Sequence, residues 1–283
     1  MNDYIQLTKP RITWLILMST GIGFFFGADR TWSWLVLLHT TLGTGLIASG
    51  TAALNQWWER EADARMPRTQ KRPLPSHRIS VQGAMWFGIA LSVLGFAELW
   101  FGANPLTAVL GAFTLASYLF IYTPLKQVTP HSTTIGAVPG AMPPVIGFAA
   151  AHGSLTAEAW VLFAILFLWQ FPHFYSIAWL YRDDYSKAGI KMLPVIDETG
   201  ERTARQILVY ALILVPVSLL PTYFGMSGNL YLIGATLLSF TYLYYGFRIT
   251  SERTRFAARK VLLTSIVYLP LLYGLMLIDR PHL

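Results

Sequence analysis

The chain has 283 residues, 54% of them hydrophobic and only 12% charged, with a mean hydropathy of +0.47; this composition excludes an ordinary water-soluble domain and fits an all-α membrane protein. The absence of cysteine excludes disulfides and thiolate metal sites. A formal charge of +7 in so apolar a chain belongs to membrane topology, and no nucleic-acid partner is expected.

Crossing about 30 Å of hydrocarbon takes roughly 20 apolar residues, and nine stretches approach or exceed that length: residues 12–27, 34–54, 82–101, 106–122, 133–151, 159–181, 207–224, 230–247 and 261–278. Lys9 and Arg11 precede the first, but no small-residue cleavage site follows, so it is read as a retained span. No Arg- and Ser-rich transit peptide stands ahead of it, in keeping with a bacterial inner membrane. The fifth stretch carries Gly136, Pro139, Gly140, Pro143, Pro144 and Gly147, and predicts a broken helix lining a cavity. No polar linker divides the chain, and residues 1–283 read as a single transmembrane domain. With nine spans and the N-terminus inside, 19 of the 21 Lys and Arg fall on the cytoplasmic face, leaving only Arg30 and Arg280 outside.

After the second span comes "NQWWEREADARMPRTQKRPLP", with three acids and five bases. Residues 51–65 contain good helix formers and no breaker before Pro67, so the helix is expected to run past the membrane surface. Asn55, Glu59 and Asp63 then share one face at i, i+4 and i+8, while Glu61 points into solvent. Such a set of hard oxygen ligands suits Mg²⁺. Arg68, Lys71 and Arg72 follow at once, and guanidinium forks match phosphate oxygens. Acids and bases interleaved at a helix end also form plain ion-pair networks. Topology favours the site, because the sixth span ends inside at Arg182, Asp183, Asp184, Lys187 and Lys191, and the inner loop "YTPLKQVTP" adds Tyr122 and Lys126 as phosphate donors.

Of six histidines, His173 is favoured as a contact to an acceptor group, since "QFPHF" sets it roughly 15 Å along the helix from Asp183. His39 lies within the second span; His131 lies near an inner helix end, and His77, His152 and His282 in loops or at the terminus. Glu98 is a further intramembrane charge. Trp57, Trp58, Phe171, Phe174, Tyr175 and Trp179 are candidate aromatic walls for a carbocation.

The string "NQWWEREADARMPRTQKRPL" resembles the N-x-x-x-(D/E)-x-x-x-D…M-x-R-T-x-x-R-P-L signature of UbiA-type intramembrane prenyltransferases. "YTPLKQVTPHSTTIGAVPGAMPPVIG" and "QFPHFYSIAWLYRDDYSKAGIKMLPV" are similar to its haem-modifying, protoheme IX farnesyltransferase branch. The resemblance implies nine transmembrane helices around a central cavity and two acidic motifs that bind diphosphate through Mg²⁺. It also implies transfer of farnesyl from farnesyl diphosphate to the 2-vinyl group of haem B, with water added to give haem O, and association with haem-synthesis or terminal-oxidase assembly proteins. Asn55, Glu59 and Asp63 match the first motif, Arg68, Thr69 and Arg72 its basic extension, and Asp183 and Asp184 the second motif. Where the wider family often has acids four apart, this chain has Tyr181 and Tyr185. The competing readings are a family member acting on a quinone precursor or chlorophyll-type tetrapyrrole, a cation transporter, and a non-catalytic haem-handling subunit.

Overall fold

The computed structural model describes residues 2–29 and 32–281; Arg30 and His282 lie outside the described residues. The regular secondary structure of the described residues is all helical. A short α1 (Asn2–Leu7) leads into α2 (Pro10–Gly27), and α3 (Trp34–Trp58) is followed after one residue by α4 (Arg60–Ala64). Next come α5 (Val81–Gly102) and α6 (Pro105–Ala116), which passes through a π-helical turn (Ser117–Tyr122) into α7 (Thr123–Leu125). α8 (Ser132–Gly140) and α9 (Met142–His152) are the two halves of the broken span, and α10 (Ala157–Leu180) is followed by α11 (Arg182–Lys187) and α12 (Leu193–Ile196). α13 (Glu201–Val217), α14 (Leu220–Tyr223), α15 (Asn229–Glu252) and α16 (Arg255–Ile278) complete the chain.

Eight helical segments among the described residues are long and apolar enough to cross a membrane, with α6 to α7, α8 to α9 and α13 to α14 each counted as one. The remaining expected span is α2, whose 18 residues extend about 27 Å but begin with Pro10 and the charged Arg11. The expected break in the fifth span falls at Ala141, between Gly140 and Met142. Pro143 and Pro144 cannot supply N–H groups to the preceding turn, so the ladder stops there.

Small residues set the packing, as expected where lipid replaces water and close backbone approach becomes the attractive term. α2 lies along α9, and α3 along α5. A Cβ added at Gly147 would land on the Thr20 carbonyl, and one at Gly23 on the carbonyl of Pro144. Glu98 has a partner the sequence did not reveal: its Oε1 is 2.7 Å from His39 Nδ1, so each intramembrane ionisable group satisfies the other.

Candidate active site

The helices enclose a cavity of about 630 Å³. Its lining is chiefly aliphatic and small, with Ile12 and Ile16 from α2, Ala48 from α3, Gly140 at the break, and Phe174 and Ile177 from α10. Ile12, Leu15 and Met18 on α2 and Ile266 on α16 line the cavity and are also exposed on the outer surface. The cavity therefore reaches the lipid-facing side where α2 and α16 both border it. Its inner end carries Lys9, Thr51 and Tyr118, directly beneath the charged loops.

α3 ends at Trp58 and Glu59 bends the chain, yet the helical phase survives, because Glu59 N–H donates to the Asn55 carbonyl at 2.9 Å and Asp63 N–H to the Glu59 carbonyl at 2.8 Å. The three motif residues thus stay on one face, while Glu61 is exposed and pairs with Arg60. Every oxygen set on that face meets a cation. Lys9 Nζ donates to Asn55 Oδ1 at 3.2 Å, Lys126 Nζ to Glu59 Oε1 at 2.8 Å, and Arg72 Nη1 to both Asp63 oxygens at 2.9 and 2.7 Å. Asn55 Nδ2 spans Glu59 Oε2 at 3.0 Å and Thr123 Oγ1 at 3.3 Å. Thr69 donates its hydroxyl to the Asp63 carbonyl at 2.8 Å, which ties the basic loop back onto the acidic helix.

These pairs are largely withdrawn from water. Burial opposes charge on Glu59, but the Lys126 ammonium, the Lys9 charge and the Asn55 amide together outweigh it and hold the carboxyl below the usual carboxylate range. Burial likewise opposes charge on Lys126, and the Glu59 carboxylate keeps its pKa well above that of an ordinary lysine. Lys9 is pushed down to about 8 by burial and by the Arg72 and Lys126 charges nearby. Lys9 holds a left-handed backbone at φ 47°, ψ 61°, a conformation uncommon outside glycine, and this turns its ammonium toward Asn55.

The second motif meets the first through its tyrosines. Arg68 lies over the Tyr181 and Tyr185 rings at 5.3 and 5.7 Å. Ala62 and Met66 pack with Ala178, Ala188, Ile190 and Met192, and Lys191 N–H donates to the Lys126 carbonyl at 2.8 Å. Tyr122 sits under Lys126 at 4.6 Å. Asp183 does not join this group. Asp183 is exposed and faces a separate polar hollow with Arg182, Glu198, Arg253 and Arg255, and Asp184 is half-buried. Residues 181 and 185 keep helical register toward Arg68, so Asp183 falls half a turn away. Among the described residues no three His, Asp or Glu side chains form a metal-sized group. Lys71, Arg182, Lys187 and Lys191 are exposed at the surface of this region.

His173 lines the cavity, stacks on Trp169 at 4.7 Å and places Nδ1 2.7 Å from Ser265 Oγ. Of the expected aromatic walls only Phe174 borders the cavity; Phe171 instead stacks on Tyr210 at 3.7 Å, and Tyr175 and Trp179 are buried in the core beside it. Trp57 packs against the cluster beneath α1, and Trp58 is exposed beside Phe120. The sequence reading missed Lys9, Tyr118 and Thr123. The sequence offers a signal for Lys9 alone, which immediately precedes a helix-opening Pro10; Tyr118 lies in a π-helical turn, a feature frequent at functional sites, that the structure shows, and Thr123 carries no signal.

Residues 16–269 match the model of the UbiA prenyltransferase family. The chain belongs to the UbiA prenyltransferase family. Within this family it is 65% identical, over 100% of both chains, to a protoheme IX farnesyltransferase of Solibacter usitatus. A protein of the same name from Koribacter versatilis is 47% identical over 99% of this chain and 94% of its own. The UbiA fold is shared with solved structures at low identity. A structure of digeranylgeranylglyceryl phosphate synthase superposes with a TM-score of 0.83 at 17% identity, covering 98% of this chain and 97% of its own. A UbiA homologue from Archaeoglobus fulgidus bound to DMAPP and Mg²⁺ gives 0.68 at 18% identity, covering 98% and 99%.

Proposed function

We propose that this UbiA-family prenyltransferase transfers farnesyl from farnesyl diphosphate to the 2-vinyl group of haem B and, with addition of water, yields haem O and diphosphate. The observation that carries this reading is the convergence of three inner segments, through Arg68 on Tyr181 and Tyr185 and Lys191 on Lys126, above an apolar cavity open toward lipid. A charged head and a long apolar tail fit such a place together. The protoheme IX farnesyltransferase name of the relatives over the full chain supports the acceptor.

Asn55 Oδ1, Glu59 and Asp63 are hard oxygen donors on one buried face, and they suit Mg²⁺, the ion bound by the Archaeoglobus homologue. When bound, the metal would neutralise charge growing on the leaving diphosphate. The chain's own cations do the rest. Lys9, Arg72 and Lys126 already stand at the carboxylate face, and diphosphate offers each of them a stronger anionic partner. Arg68 and Tyr122 extend that cradle, with Lys71, Arg182, Lys187 and Lys191 at its rim. Thr69 positions Asp63; Asp183 faces the separate polar hollow and takes no part in this cradle, and Asp184 remains the candidate carboxylate of the second loop. The apolar lining keeps bulk water from the allylic cation until it meets the vinyl group.

His173 is assigned to the haem. Ser265 Oγ lies 2.6 Å from the Leu262 carbonyl, which can only accept, so the serine proton is spent there. The imidazole Nδ1 therefore carries the proton of the 2.7 Å contact to Ser265, and Nε2 keeps its lone pair, the form that ligates iron.

The test is purified protein with farnesyl diphosphate, Mg²⁺ and either haem B or a quinone precursor, with products resolved by mass spectrometry. Farnesylated, hydrated haem is expected, and chelating the metal should abolish it. Prenylation of the quinone precursor alone would reassign the acceptor, and turnover undiminished by chelation would remove the metal.

A further inference from the structure

One polar side chain in the membrane-embedded cavity has no part in the site above. Gln170 lines the cavity from α10 and is 3% exposed. Its Nε2 donates to two carbonyls, those of Ala137 and Leu166, each at 3.1 Å. Both amide protons are thus used, and the orientation is fixed, since the flipped amide would press its oxygen against two others. Oε1 is left pointing at the break between α8 and α9, and no donor reaches it among the described residues. Gly140 makes the room, because a Cβ there would overlap Oε1.

The break is rich in acceptors. α8 ends at Gly140 and α9 begins at Met142, so the two helix dipoles meet here with opposite sign and the balance is set by the free carbonyls. Pro143 and Pro144 have no N–H for the carbonyls of the turn before them. Pro139, Gly140 and Pro143 line the same cavity. Among the described lining residues Lys9 alone is a Lys or Arg, and it is held at the inner surface by Asn55. A purely structural amide would need its two donors and not a free oxygen facing the chamber. Acceptors without a donor suit a water held by its hydrogens, with its lone pair turned outward.

We propose that Gln170 is a positioning residue whose amide oxygen holds the water that ends the reaction, and so decides whether the product is an alcohol or an alkene. This rests on the haem farnesylation proposed above. The C1–O bond of farnesyl diphosphate breaks with its electron pair leaving on diphosphate. The vinyl π pair forms the new bond to C1, which leaves positive charge on the vinyl carbon next to the ring. Water held at Gln170 gives a lone pair to that carbon, and its surplus proton passes to the released diphosphate. If water is not held, the neighbouring carbon loses a proton to diphosphate instead, giving an alkene lighter by one water.

Gln170→Met removes the acceptor, and Gly140→Ala displaces it while leaving the Gln170 amide chemically intact. Each full-length variant is incubated with farnesyl diphosphate, haem B and Mg²⁺ in isotopically labelled water, and the two products are quantified by mass spectrometry. The ratio of hydrated to dehydrated product should fall in both by about 10-fold or more, in line with the loss of a preorganised polar group. This ratio is independent of how much protein folds or how fast it turns over. An unchanged ratio in both variants would overturn the proposal. So would loss of all prenylated product in both while the protein stays folded, because Gln170 would then serve transfer itself. Absence of prenylated haem from the wild type would overturn the underlying reading and this proposal with it.

Discussion

At the residue scale the Glu59 and Lys126 pair sets the character of the site. Their side chains are only 16% and 13% exposed, so each charge depends on the other for what water would have supplied. Removing one partner of a buried pair commonly costs about 3–5 kcal/mol, whereas removing both costs far less. Glu59→Gln and Lys126→Met should therefore each lower the unfolding temperature of the ligand-free protein in detergent, and the double variant should recover much of the loss. A double variant that loses the sum of the two would show that the charges do not compensate each other. The Glu59 pKa is lowered in the fold, so its contribution is complete above the ordinary carboxylate value of about 4.3 and is lost as pH falls through the lower folded value. The gap between wild type and Glu59→Gln should accordingly narrow on acidification.

At the scale of elements, the α2 and α9 contact shows how helix identity becomes cavity shape. Gly147 faces backbone, where an added Cβ would strike the Thr20 carbonyl and the Phe24 nitrogen, whereas Gly21 on the same α2 has nothing within 4 Å. Gly147→Ala should lower stability by about 1–3 kcal/mol through overpacking. Gly21→Ala should leave it unchanged or raise it by up to about 1 kcal/mol through helix propensity. Thermal unfolding in the same detergent checks both, and equal effects would contradict the close approach. The same distinction explains what could be read in the chain. The shared face of Asn55, Glu59 and Asp63 was legible because one helical period carries through from α3 into α4. Lys9 and Lys126 join them from 46 and 67 residues away, and no periodicity carries information across that distance. Tyr181 and Tyr185 could be read in the second motif, but that their side of it, and not that of Asp183, turns toward Arg68 is visible only once the direction of α10 is known. Gln170 carried no signal beyond being a lone amide inside an apolar helix.

At the scale of the whole molecule, charge asymmetry and site position form one argument. A diphosphate is a polyanion that cannot cross hydrocarbon, so its cradle has to open on the side where it is made. The helix order puts the loops bearing Gln70 and Lys187 at one end of the bundle and those bearing Ser154 and Tyr223 at the other. On the rule that Lys and Arg are retained inside during insertion, we propose that the first end faces the cytoplasm. The chain has no cysteine, so single cysteines report sidedness without background, and all four positions are exposed. Ser154→Cys and Tyr223→Cys should react with a membrane-impermeant maleimide in intact spheroplasts. Gln70→Cys and Lys187→Cys should react only after the membrane is opened. Labelling of Gln70→Cys and Lys187→Cys in intact spheroplasts would place the diphosphate cradle on the outer face. Labelling of one but not the other would break the convergence of the two loops on which the site depends.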